Sequence, residues 1–303
     1  ILFGRNVQDR AQLADLASAL REAVGWQAPI LIDQEGGRVA RMAPPTWRSW
    51  PPPLDVAEVL PAEDAERAFW LRGRGIAFDL TEVGIDVNCA PVADVARAET
   101  HGVLRNRCLG SDPETVTRNA RAMADGLLSG GVLPIIKHPP GYGLCQVDSH
   151  LELPRVNAPR AELEAIDFAP FKTLSDIRMA MTAHLVYEAI DPDRAGTVSS
   201  IMIDLIRNEI GFGGLLMTDD ISMEALSGTI VERAQSSLAA GCDLILHCNG
   251  KMPEMEALAA ALPAMTEDAR SRADAALAQR STPVPVDIAA LDAEFSALMQ
   301  GVV

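Results

Sequence analysis

The chain has 303 residues and a formal net charge of −16, from 26 Lys and Arg against 42 Asp and Glu. Hydrophobic residues make up 48% and charged residues 22%, which are ordinary values for a packed globular core and exclude wholesale disorder. So acidic a chain is also poorly suited to bind nucleic acid or an anionic membrane, because phosphate groups need clustered Lys and Arg.

The length fits either two domains or a single α/β barrel of roughly 250 or more residues. The chain opens without Met on Ile1-Leu2-Phe3, inside an apparent strand, so we expect an N-terminal strand and helix to be missing from it. No apolar run of about 18 residues and no signal peptide are found. The five cysteines form no C-x-x-C pair, which favours a reducing cytosol over a disulfide scaffold.

Short apolar segments are predicted as strands at residues 2–3, 30–32, 87–92, 133–136, 179–182, 215–217 and 244–246. Most lack strict alternation of apolar and polar residues, which is typical of strands buried on both faces of a parallel sheet.

Amphipathic segments between these strands are predicted as helices at residues 13–24, 116–127, 203–210, 230–238 and 288–298. Asp112 and Ser199 are the expected N-caps, and Gly25, Gly130 and Gly241 are the expected stops. Repeated strand-then-helix units predict a parallel sheet. Seven strands plus one before Ile1 would close a (β/α)₈ barrel forming a single domain over 1–303. An open doubly wound sheet is the alternative, although no glycine-rich nucleotide motif follows a strand.

Polar residues follow several of the predicted strands at the point where the strand ends. They are 33–38, Lys137-His138, His184 and 218–220. The carboxyl ends of barrel strands share one face, which carries the active site, so a barrel would bring these residues to one mouth.

Several candidate residues also have a purely structural interpretation. Asp219 and Asp220 could cap the next helix, or one of them could be a nucleophile or general base on a rigid strand end. Asp148 and His150 could form a surface turn, or a dyad in which the carboxylate fixes the imidazole tautomer. The Gly- and Pro-rich loop 139–150 that carries them suggests a flexible lid. Lone Asp94, Arg105 and Arg107 favour solvated salt bridges.

Taken in order, six motifs are similar to a known family over nearly the whole chain. They are ILFGRN at 1–6, DQEGGRVAR at 33–41, GIDVNCAPVADV at 84–95, RCLG at 107–110, KH at 137–138 leading to DSH at 148–150, and TDDISME at 218–224. The chain resembles the bacterial glycoside hydrolase family 3 β-N-acetylglucosaminidases of peptidoglycan recycling, the NagZ type.

This resemblance implies a single (β/α)₈ barrel that hydrolyses a terminal β-linked N-acetylglucosamine with retention. It assigns Asp219 as the nucleophile, and His150, paired with Asp148, as the acid/base. It places sugar contacts at Asp33, Arg41, Arg107, Lys137 and His138. The implied substrate is N-acetylglucosamine linked to 1,6-anhydro-N-acetylmuramic acid, with or without stem peptide. The implied enzyme is cytoplasmic and needs neither metal nor cofactor, and we expect a monomer.

The chain departs from the family pattern K-H-F-P-G-H-G at two positions, where Pro139 replaces an aromatic residue and Tyr142 replaces a His. Three alternatives stay open. One is a catalytically silent sugar-binding barrel, and another is phosphorolysis by the same residues. The third is a metal-dependent barrel hydrolase with ligands at His138, His150, His184 and Asp219.

Overall fold

The structure is a computed structural model that describes residues 1–147 and 153–300. Its strands, in chain order, are β1 (Leu31–Ile32), β2 (Gln34–Gly36), β3 (Val39–Ala40), β4 (Val87–Asn88), β5 (Leu133–Pro134), β6 (Ile136–Lys137), β7 (Arg155–Val156), β8 (Met179–Met181), β9 (Val186–Tyr187), β10 (Leu215–Asp220) and β11 (Leu244–Leu246).

The helices, in chain order, are α1 (Arg10–Val24), α2 (Pro53–Val59), α3 (Ala62–Glu82), α4 (Gly102–Arg105), α5 (Pro113–Ser129), α6 (Arg160–Ala165), α7 (Ala169–Thr173), α8 (Ser200–Asp204), α9 (Ile230–Ala240), α10 (Met252–Ala261), α11 (Glu267–Leu277) and α12 (Ile288–Gln300). Every described helix is too short or too polar to cross a bilayer.

The described residues fall into two compact units. The first comprises residues 1–92, 106–135 and 277–300, and the second comprises residues 93–105 and 136–276.

The first unit contains a parallel sheet in the order β1-β4-β5. Leu2 adds a parallel bridge to Ile32, so a further segment of chain lies beside β1. An antiparallel hairpin of β2 and β3 follows β1 directly. Both strands of the β1–β4 pair are largely buried, as expected for a parallel sheet covered by helices.

Helices α3, α5 and α12 pack together in the first unit. Asp112 caps α5 by accepting a hydrogen bond from Thr115 N, and α1 ends at Gly25, whose φ of 73° is the left-handed cap that Gly favours. These caps confirm the predicted helix boundaries at Asp112 and Gly25.

The second unit contains a fully parallel sheet in the order β11-β10-β8-β6 and a separate parallel pair of β7 and β9. Ser199 caps α8, and α9 begins with a capping box between Thr229 and Glu232 and ends at Gly241.

All seven predicted strand segments contain a strand or a bridge, which confirms a parallel α/β fold. Segment 133–136 is divided, with β5 in the first unit and β6 starting the second. β10 is longer than predicted and extends through Asp219 and Asp220. The patterns predicted neither α3 nor the β2–β3 hairpin.

Candidate functional site

Parallel strands of the second unit bring polar side chains to one edge of its sheet. β6 ends at Lys137 and is followed by His138, β8 is followed by His184, and β10 carries Asp219 at its carboxyl end. Because β8 lies between β6 and β10 and all three are parallel, their carboxyl ends lie at the same edge. Lys137, His138 and His184 are all buried.

His138 is fixed by a buried carboxylate. Asp94 Oδ2 lies 2.7 Å from His138 Nδ1, and Asp94 Oδ1 accepts hydrogen bonds from the backbone N–H groups of His138 (3.2 Å) and Tyr142 (2.8 Å). Nδ1 donates to the carboxylate, which sets the ring orientation and turns Nε2 away from Asp94. Asp94 is 0% exposed, so its interpretation as a solvated salt bridge is wrong.

Asp219 is a partly buried carboxylate with one oxygen engaged. Its Oδ1 accepts a hydrogen bond from Asp220 N at 2.7 Å, and its Oδ2 accepts none from any described residue. Burial alone would raise the pKa of Asp219, but His138, the Asp220 N–H and Lys137 together bring that pKa below its usual value. Such a group is ionised at neutral pH and can act as a nucleophile or base.

Asp220 has a different environment from its neighbour. Its Oδ1 accepts from Ser222 N and Cys248 N, each at 3.0 Å, and its Oδ2 accepts from Ser222 Oγ at 2.6 Å. These bonds organise the turn after β10 rather than the start of a helix. The expectation that Asp219 or Asp220 caps the next helix is therefore wrong, since α9 is capped by Thr229.

His184 is 1% exposed, and both of its ring nitrogens contact protein. Nδ1 lies 2.8 Å from Thr197 Oγ1 and Nε2 lies 3.0 Å from the carbonyl oxygen of Asp220. Burial lowers the pKa of His184. With both nitrogens occupied, His184 does not fit the ligand set of the metal-dependent alternative. Among the described residues, no three His, Cys, Asp or Glu side chains are placed to share a metal ion.

The first unit holds the other side chains that the resemblance assigns to sugar binding. Asp33 Oδ2 lies 3.1 Å from Arg41 Nη2. Arg107 makes a two-pronged ion pair with Glu35, at 2.9 Å from Nε and 2.8 Å from Nη2. The Glu35 side chain is 2% exposed and that of Arg107 is 14% exposed, so the salt bridge expected at Arg107 is present but is largely buried rather than solvated.

A buried amide pair builds the loop that carries Asp33 and Arg41. Gln34 N donates to Asn88 Oδ1 at 3.0 Å, and Asn88 Nδ2 returns a bond to Gln34 O at 2.9 Å. Gln34 Oε1 also accepts from the backbone N–H groups of Arg41 and Met42. Sequence reasoning placed Gln34 and Glu35 in the strand-end segment 33–38 without giving them a role, and it gave no role to Asn88. Polar residues inside or beside apolar strand segments were the signal that could have found them.

The loop after His138 is described as far as residue 147. Most of residues 139–147 are buried, the Tyr142 ring lies 5.4 Å from the His138 ring, and Tyr187 Oη donates to Gly141 O. This portion is a packed framework, so the expectation of a flexible lid does not hold for it.

The predicted dyad of Asp148 and His150 lies outside the described residues. Its assignment therefore stays a prediction.

Comparison with known proteins gives consistent matches. Residues 1–279 match the glycosyl hydrolase family 3 N-terminal domain. A β-hexosaminidase of Tolumonas auensis is 38% identical over 259 residues, which are 83% of this chain and 75% of that protein.

Solved structures of the family superpose closely. A family 3 β-N-acetylglucosaminidase from a Paenibacillus species matches with a TM-score of 0.86 and 28% identity over 99% of this chain, which spans 62% of that protein. NagZ from Neisseria gonorrhoeae, native and in complex with N-trifluoroacetyl-D-glucosamine, matches with a TM-score of 0.83 and 32% identity, covering 99% of this chain and 88% of NagZ. The chain therefore belongs to glycoside hydrolase family 3, and within that family of enzymes it resembles the β-hexosaminidases.

Proposed function

We propose that the chain is a retaining exo-β-N-acetylglucosaminidase with Asp219 as its nucleophile. The observation that carries the proposal is the Asp219 carboxylate itself. It lies at the carboxyl end of β10, with a lowered pKa and with Oδ2 accepting no hydrogen bond from a described residue. A carboxylate in this state can attack an anomeric carbon without first losing a proton.

In the proposed first step, Asp219 Oδ2 bonds to C1 of the sugar as the C1–O bond to the leaving group breaks. His150, oriented by Asp148, gives its proton to the departing oxygen. In the second step His150 takes a proton from water, whose oxygen attacks C1 and releases Asp219. Two displacements at the same carbon give net retention of configuration.

The proposed sugar contacts are hydrogen bonds with Lys137, His138, Arg41 and Arg107, and with Asp33, which accepts from a sugar hydroxyl. Asp94 supports this by fixing the His138 ring, and Glu35 supports it by fixing the Arg107 guanidinium. The complex of NagZ with N-trifluoroacetyl-D-glucosamine supports an N-acetylglucosamine as the sugar. The proposed natural substrate is N-acetylglucosamine linked to 1,6-anhydro-N-acetylmuramic acid, with or without stem peptide.

The proposal retains the single (β/α)₈ barrel over 1–303, acting as a cytoplasmic monomer without metal or cofactor. The parallel order of strands in both sheets supports the barrel. The proposed cytosolic location rests on the cysteine pattern of the sequence, which has five cysteines and no C-x-x-C pair.

Turnover of an aryl N-acetyl-β-glucosaminide, followed by proton NMR of the first product anomer, tests the proposal. We expect β-N-acetylglucosamine first, and a loss of about 10³-fold or more in kcat for Asp219→Asn. Asp15→Asn, which changes an exposed carboxylate on α1, is the matched control and should keep full activity.

Three results would contradict the proposal. Binding of the sugar without turnover would show that the chain is a catalytically silent sugar-binding protein. The α-anomer as first product would indicate inversion. Release of a sugar phosphate only when phosphate is present would show phosphorolysis.

A further inference from the structure

His184 and two buried threonines form a hydrogen-bonded chain that ends at Asp220. Thr182 Oγ1 lies 2.7 Å from Thr197 Oγ1, which lies 2.8 Å from His184 Nδ1. His184 Nε2 lies 3.0 Å from Asp220 O. The side chains of Thr182, Thr197 and His184 are at most 1% exposed.

The partners of His184 determine its tautomer. A carbonyl oxygen only accepts hydrogen bonds, so the proton must sit on Nε2, facing Asp220 O. Because burial lowers the pKa of His184, the ring is neutral at neutral pH and Nδ1 carries a lone pair. Thr197 donates its hydroxyl proton to Nδ1 at 2.8 Å, in preference to Ala183 O at 3.1 Å, and accepts from Thr182.

This chain of bonds reaches Asp219 through Asp220. His184 holds the Asp220 carbonyl, while Ser222 and Cys248 hold the Asp220 carboxylate. Asp220 is therefore fixed at both its backbone and its side chain. Its own N–H donates to Asp219 Oδ1, which leaves Oδ2 as the reacting oxygen.

We propose that His184 is a positioning residue, which as a neutral Nε2–H imidazole holds the Asp220 backbone and thereby orients Asp219 for attack on C1. The inference rests on the proposed function. It also excludes His184 as a substitute acid/base, because neither of its nitrogens is available to exchange a proton with a leaving group.

Kinetics of two variants on two substrates test the role. His184→Leu removes the donor, and His184→Gln keeps an N–H near the position of Nε2. We expect His184→Leu to lower kcat by about 100-fold, equally for a nitrophenyl glycoside and for a disaccharide, with little change in KM. His184→Gln should recover activity to within about tenfold of wild type. Loss confined to the disaccharide would make His184 an acid/base and overturn the inference.

A second pair of variants keeps the test informative if His184→Leu does not fold. Thr197→Val is nearly isosteric and removes the proton donated to Nδ1. We expect it to lower kcat by about tenfold on both substrates. Thr173→Val, at an exposed threonine on α7, is the control and should not change kcat. Full activity in Thr197→Val would overturn the inference.

The tautomer of His184 can be measured directly, without an activity assay. Nitrogen-15 NMR of the full chain should show His184 protonated at Nε2 alone at neutral pH. An Nδ1–H tautomer or an imidazolium would overturn the inference even in an active enzyme. Conversely, a wild type that fails to hydrolyse the aryl glycoside would overturn the proposed function, and with it the role of His184, whatever the tautomer.

Discussion

Adjacent carboxylates of identical chemistry have separate tasks at the end of β10. Both carboxylate oxygens of Asp220 accept hydrogen bonds from Ser222 in the turn that follows β10. In Asp219 only Oδ1 accepts a hydrogen bond from a described residue. The sequence motif predicts a carboxylate here but cannot say which one is available, because that depends on Cys248, which is distant in sequence and donates to Asp220.

Tyr142 stands where the family usually has His. Its ring packs beside His138 and its backbone N–H donates to Asp94, and both contacts survive removal of the hydroxyl. We therefore predict that Tyr142→Phe changes kcat/KM for an aryl N-acetyl-β-glucosaminide by less than tenfold. A thousandfold loss would instead give the Tyr142 hydroxyl a catalytic role.

Asp167 lies beneath the loop that leads to the predicted dyad. Its carboxylate is 1% exposed, its Oδ2 lies 2.9 Å from Arg97, and its Oδ1 has no hydrogen-bond partner among the described residues. Burial, opposed by Arg97 but assisted by Asp94 and Glu162, raises the pKa of Asp167 to about 7.

A raised pKa makes the stability of the protein depend on pH. The contribution of protonated Asp167 is fully present below the ordinary Asp pKa and is lost as pH rises towards 7. We predict that the free energy of unfolding falls across this range by at most about 4 kcal/mol from this group. In Asp167→Asn, the free energy of unfolding measured with urea should change less with pH between about pH 5 and about pH 8 than it does in wild type. An unchanged pH dependence would contradict this account, and Asp15→Asn is the control.

At the scale of elements, helices α3 and α5 cross at glycines. A Cβ at Gly73 would overlap the carbonyl oxygen of Met123, and a Cβ at Gly126 would overlap that of Trp70. Ala normally stabilises a helix by about 1 kcal/mol relative to Gly. Overpacking should outweigh that gain, since it typically costs about 1–3 kcal/mol or more where backbone must shift.

We predict that Gly73→Ala lowers the free energy of unfolding by about 2 kcal/mol, measured by urea denaturation. Gly102→Ala is the control, because a Cβ there would have no heavy atom within 4 Å. Equal stability of Gly73→Ala and wild type would show that the two helices can separate at no cost.

Local patterns predicted seven strand segments and the helices capped at Asp112 and Ser199, but not α3. That helix is buried along most of its length, and its buried positions include Arg72, Gly73 and Gly75. These residues interrupt the apolar periodicity by which an amphipathic helix is recognised. Arg72 is accommodated by contacts distant in sequence, since it donates to Pro51 O and lies over the Trp50 ring.

The same limit applies to the candidate site. Strand-end positions predicted where Lys137, His138 and Asp219 would lie, because a parallel sheet sends carboxyl ends to one edge. Their partners could not be predicted, since Asp94 and His138 are 44 residues apart and their pairing depends on the tertiary fold.

The chain has a net charge of −16, yet four of the residues proposed above to bind the sugar are basic. They are Arg41, Arg107, Lys137 and His138, and the proposed exo action removes a single terminal sugar while tolerating different leaving groups. We predict that chito-oligosaccharides are shortened one N-acetylglucosamine at a time, as measured by chromatography of early products. Early appearance of internal fragments without the monosaccharide would contradict exo action.

The proposed mechanism requires a covalent bond between the sugar and Asp219. His150→Ala should still accept an aryl N-acetyl-β-glucosaminide, because a nitrophenolate leaves without a proton, but it should release the sugar slowly. Mixing this variant with the substrate, followed by intact mass and peptide mapping, measures the bond directly. The account predicts one added N-acetylglucosamine, located on Asp219 and absent from His150→Ala/Asp219→Asn. No adduct during turnover, or an adduct on another residue, would contradict it.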